Sequence, residues 1–149
     1  MKAQPTPRPP GDQIDDYVRI ARAQRHAGRT QLALDILETA RRLLPATAAV
    51  LCEIARTHTA MGATDHALAV YELLARDHPD CADAHWERGV LLEARGQIDE
   101  AMAAWRLSGL SGHVGRHSLY VAVALKSPRS TNETLLTLQQ EWARAHARP

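Results

Sequence analysis

The sequence predicts an all-α array of helical hairpins, and three observations predict it. Ala and Leu dominate the 149 residues, while aromatic residues are 4% with no Phe, so helix propensity is favoured over strand propensity. Gly28, Gly62 and Gly96 recur at intervals of 34 residues. Ala33, Ala67 and Ala101 keep the same interval, as do Leu34, Leu68 and Met102, then Leu37, Tyr71 and Trp105, and the pair Pro45 and Pro79. Three windows follow without insertion or deletion: 14–47, 48–81 and 82–115.

The elements follow in chain order. Residues 1–13 hold four prolines and one glycine and read as a flexible tail. In each window an apolar-periodic segment ends at the glycine, which takes a left-handed conformation without steric cost and marks a tight turn. Thr30 and Thr64 follow, with side-chain oxygens placed to cap a second helix. The alanine column lies inside that second helix, where a small side chain lets two helices cross closely. Pro45 and Pro79 close the unit, because proline cannot continue a helix and biases its predecessor towards extended backbone. Residues 116–149 read as a degenerate fourth unit with a capping helix. In it Leu119 falls in the packing column of Tyr17, Leu51 and His85, and Ser130 with Glu133 forms a capping-box pattern before Leu135, Leu138 and Trp142.

Period, turn glycine, small residue and closing proline together resemble the tetratricopeptide repeat family, over residues 14 to about 113. The resemblance implies a right-handed superhelix of helix-turn-helix repeats, three full ones and a degenerate terminal pair, whose first helices line a concave groove. Two departures stand out: Arg88 occupies a column filled by Ile20 and Ile54, and His113 replaces the closing proline. A narrower resemblance concerns the tail. His117, Ser118, Trp142, Ala143, His146 and Ala147 are similar to the end of the repeat array in O-GlcNAc-transferase-like and SPINDLY-like bacterial proteins, without their catalytic domain.

The groove columns name the candidate partner-binding residues. One reads Val18, Cys52, Trp86 and Tyr120, a second Arg22, Arg56, Val90 and Ala124, and a third Asp15, Ala49, Asp83 and His117. Arg19, Arg22, Arg25 and Arg56 make the first half basic, Asp83 and Glu87 make the next part acidic, and Trp86 and Tyr120 are read as aromatic platforms. Net charge by window runs +2, −3, −2 and, for 116–149, +3, a pattern suited to a bipolar peptide. A clamp for a C-terminal carboxylate is not expected, because acids stand in the later columns where it needs bases.

The expected function is therefore a non-enzymatic scaffold or adaptor that binds a peptide or protein in the groove. The alternative is the substrate-recruiting portion, or a trans-acting subunit, of a glycosyltransferase-like enzyme. A formal charge of +1 gives no electrostatic reason for a nucleic-acid or membrane partner. Self-association through exposed helix edges stays open. No cofactor is expected: no phosphate loop, nucleophile elbow or acid–base pair is visible. Cys81 and His85, with His113 and His117, have helical spacing, but their separation is too long for a compact zinc motif, so no metal is expected. Two cysteines cannot form a disulfide framework and the start has no apolar stretch, which points to the cytoplasm.

Overall fold

A computed structural model describes residues 9–109 and 114–146, apart from the side chains of 114–118, 142, 145 and 146. It is all-helical among the described residues, and divides into two compact units, Met1–His78 and Pro79–Pro149.

The first unit contains α1 (Pro10–His26), α2 (Thr30–Leu43), α3 (Ala48–Ala60) and α4 (Thr64–Asp77). Helix α1 starts inside the segment read as tail, because Pro10 is at its first position, where proline's fixed φ already suits a helix and its missing N–H is not needed. Each hairpin turn is built the same way. Gly28 has φ of 78°, its N–H donates to the Arg25 carbonyl at 3.0 Å, and the next N–H, of Arg29, donates to the Gln24 carbonyl at 2.9 Å. Gly62, at φ 73°, repeats both bonds through Thr59 and His58. This is the Schellman closure, which satisfies two of the carbonyls a helix end leaves open. A Cβ on Gly28 or Gly62 would touch nothing within 4 Å, so φ alone requires glycine there.

The expected caps are corrected by the structure. Thr30 and Thr64 are already the first helical residues of α2 and α4, and neither of these helices has a side-chain cap. The residue between glycine and threonine, Arg29 or Ala63, takes the N-cap position, since the Schellman turn uses one residue after the glycine. Thr47 is the working cap in this unit, accepting the Val50 N–H at 3.4 Å. Leu44, before Pro45, is extended, as proline demands of its predecessor. Ala33, Leu37 and Ala40 of α2 are buried, as are Ala67, Tyr71 and Leu74 of α4. One apolar face of each second helix therefore forms the core.

The second unit contains α5 (Ala82–Ala94), α6 (Ile98–Leu107), α7 (Val114–Ala124) and α8 (Asn132–His146). Gly96, at φ 77°, repeats the Schellman turn through Glu93 and Leu92. Against α5 lies Trp105, whose indole Nε1 donates to the Trp86 carbonyl at 3.1 Å. Gly89 makes that approach feasible: a Cβ there would lie 2.2 Å from the same nitrogen. Position 89 is alanine in the earlier windows (Ala21 and Ala55), where Leu37 and Tyr71 stand in place of Trp105. The smallest first-helix residue thus accompanies the largest second-helix ring.

Three further expectations are revised here. Arg88 is half-buried, and Ile20, in the same column, is exposed, so that column is not uniformly core. Leu119 is exposed, and among the described side chains of α7 Tyr120, Val123 and Ala124 are buried, so α7 turns a different face inward from the one its column implied. The cap of α8 is one residue late: Thr131 and Thr134, in place of Ser130 and Glu133, exchange backbone N–H and side-chain oxygen bonds at 3.2 and 2.7 Å. Leu138 is buried and Leu135 half-buried on α8. The anchoring role expected of Trp142 lies outside the described residues, as do His113 and the side chains of His117, Ser118 and His146.

Candidate partner-binding face

Two helices of the first unit place four charged side chains together. On α1, Arg22 and Arg25 are one turn apart and so share a face, and Glu53 and Arg56 repeat the spacing on α3. The Glu53 side chain is only 1% exposed. Its Oε1 accepts from Arg22 Nε at 3.2 Å, Arg22 Nη2 at 2.9 Å and Arg56 Nη1 at 3.1 Å, and its Oε2 accepts from Arg25 Nη2 at 3.3 Å. Three guanidiniums share one buried carboxylate. The arginines differ in exposure: 51% for the side chain of Arg22, 17% for Arg25 and 29% for Arg56.

The electrostatics follow from this geometry. Burial pushes the Glu53 carboxyl up, but the hydrogen bonds from Arg22 and Arg56, with the charges of Arg22 and Arg25, outweigh it and hold the group below the ordinary glutamate range. Glu53 therefore stays ionised and fixes the guanidinium planes, since Arg can present its fork of donors only when its plane is held. The Arg25 Nε is buried without a hydrogen-bond acceptor.

The remaining candidates are distributed differently from the expectation. Arg19 lies outside the cluster, exposed and paired with Asp16 at 3.1 Å. In the second unit Asp83 is exposed on α5, with Trp86 and Glu87 half-buried beside it. Trp86 stacks on Trp105 with ring centroids 5.3 Å apart and planes at 28°. Tyr120 is not an open platform: it is 0% exposed, edge-on to Trp105 at 6.4 Å, with its hydroxyl accepting from Arg106 Nε at 2.8 Å. The ring of Trp105 and the side chain of Arg106 both pack against Tyr120, which is part of the core. Val18 and Cys52, in the same column, are buried as well.

Glu53 itself was not among the residues expected to form a site. The signal was present, an acid in the column of Arg19 whose neighbour three positions on is Arg56, but its burial depends on α1 lying alongside α3. Of the residues considered for metal, Cys81 is half-buried and His85 is buried with Nε2 2.9 Å from the Pro79 carbonyl oxygen. Among the described residues no three His, Cys, Asp or Glu side chains gather as a metal-binding group would. No helix of the described residues is long and apolar enough to cross a membrane.

No family model matches the sequence, and no curated protein matches it. Solved structures do. The fold is similar to that of MamA, with a TM-score of 0.72 and 12% identity over 90% of this chain and 78% of that one. It is also similar to the Sgt2 TPR domain from Aspergillus fumigatus, with a TM-score of 0.58 and 19% identity over 97% of this chain and 87% of the other. The chain has the tetratricopeptide-repeat fold. A third tetratricopeptide-like neighbour is PcrH, solved in complex with the chaperone binding region of PopB, with a TM-score of 0.58 and 17% identity over 91% of this chain and 94% of that one.

Proposed function

We propose that this tetratricopeptide-fold chain is a non-enzymatic protein-interaction module that holds a peptide or protein on the faces of its first helices. The observation that carries the reading is the Glu53 cluster. A buried acid surrounded by arginines adds little to stability compared with apolar packing of the same volume, so its position on the α1 and α3 face favours a role in recognition. The complex of PcrH with a segment of PopB supports a peptide ligand by analogy of fold. On α5 the corresponding contributors are Asp83, Trp86 and Glu87, with Trp86 the anchor, since tryptophan is enriched among residues that dominate binding energy. Cys52 and Cys81 are not joined in a disulfide, which fits work in a reducing cytoplasm.

Panning a displayed library of random peptides against the full chain tests this. Binders are expected, with their affinity reduced by Arg22→Ala and lowered by about 2 kcal/mol in Trp86→Ala. A library that yields no binder, or binders indifferent to both substitutions, contradicts the proposal.

A further inference from the structure

We infer that the arginine-rich end of α1 is the anchor for an acidic segment of the partner, recognised through internal Glu or Asp side chains and not through a free C-terminal carboxylate. The inference rests on the interaction-module reading and narrows it to one face and one chemistry. Arg22 and Arg25 both depend on Glu53, and one carboxylate can neutralise only one of them. Neither has another carboxylate partner among the described residues. Arg29, at the turn that ends α1, is exposed and hydrogen-bonded at 2.6 Å to the neutral Gln24 side chain. The end of the helix therefore carries more positive charge than its own acids offset, and the open carbonyls of its last turn oppose this with only about half an elementary charge.

The placement suits side-chain carboxylates. Glu53 holds Arg22 with its Nε and Nη2 edge engaged, which leaves its Nη1 directed away from that bond on a side chain half open to solvent. Arg29, in the hairpin turn between α1 and α2, adds a second exposed cation. Two separated cations match successive acids along an extended or helical segment, whereas a terminal carboxylate brings a single negative charge. Attraction of this kind is electrostatic and weakens with salt. The first unit supplies all of these residues, so the anchor does not depend on the acids of α5.

The test uses the full chain and a short fluorescein-labelled peptide rich in Glu, acetylated and amidated at its ends, titrated by fluorescence anisotropy at low and at physiological salt. Its counterpart with Gln for every Glu is expected to bind about tenfold more weakly, and a version with a free C-terminal acid to bind as the amide does. Arg22→Gln and Arg29→Gln are each expected to weaken the Glu peptide about fivefold. Arg29→Gln leaves the partners of Glu53 in place and so separates lost binding from lost folding. Arg76→Gln, which removes an exposed arginine paired with Asp77 on α4, is expected to change nothing. Equal binding of the Glu and Gln peptides, an equal effect of Arg76→Gln, or binding only of the free acid overturns the inference. If panning finds neutral peptides that bind while the Glu peptide does not, the interaction module stands and this inference fails; if no peptide binds, both fail.

Discussion

A methyl group at position 89 would sit 2.2 Å from the Trp105 Nε1, too close for either group to stay where it is. Two effects oppose each other there. Alanine gains about 1 kcal/mol over glycine inside a helix, but displacing a buried indole that is hydrogen-bonded and stacked costs about 1–3 kcal/mol of overpacking and adds the lost bond to the Trp86 carbonyl. Gly89→Ala is therefore expected to lower the melting temperature, read by tryptophan fluorescence; an unchanged or raised value would show that Trp105 can move freely. At Glu53 the balance is of charges. Glu53→Gln leaves three guanidiniums facing one another, partly relieved by water at Arg22, and is expected to cost about 1–3 kcal/mol in urea unfolding at neutral pH.

Among the helices, the ends divide into those closed by side chains and those closed by backbone. The turns at Gly28, Gly62 and Gly96 need only the glycine, and the threonines that follow two of them do no capping. Thr47 and Thr131 do cap. Thr47→Ala and Thr131→Ala are expected to cost about 1 kcal/mol each, while Thr64→Ala stays within about 0.5 kcal/mol, all measured as shifts in urea midpoint. A larger loss at Thr64 than at Thr47 would reverse the assignment. The same principle explains why the caps were misplaced from sequence. Threonine after glycine looks like an N-cap wherever it stands, and only the hydrogen-bond register of the preceding turn decides which residue takes that position.

For the molecule as a whole, two groups shielded from solvent among the described residues, His58 and Glu53, shift the response to acid in the same direction. His58 is held below the ordinary histidine range by burial and by the charge of the stacked His66, 5.3 Å away, against the smaller opposing pull of Glu38. The unfolded chain therefore binds a proton at His58 near pH 6.5 before the folded chain does, and stability falls as the pH drops below that value. The lowered Glu53 adds stability that is present above the unfolded glutamate value of about 4.3 and is lost as the pH falls through its folded value. Urea midpoints measured by circular dichroism between neutral and acidic pH are expected to decline in two stages. His58→Gln should remove the first and leave the second; a flat profile between pH 7 and 5 would show that the His58 environment has little effect.

The 34-residue recurrence by itself determined the hairpins, the three glycine turns and the buried second-helix columns, because these depend on local backbone conformation and on periodicity that any window of the chain displays. It also selected Arg22, Arg25 and Arg56, since charge on a first-helix face is visible in the spacing. What tertiary structure alone decided is which of these groups meet. Glu53 became the centre of the cluster only because α1 lies against α3, and Tyr120 is a core residue, with Trp105 edge-on to its ring and Arg106 on its hydroxyl. Partners far apart in sequence are chosen by packing distance and burial, which no column of a repeat encodes.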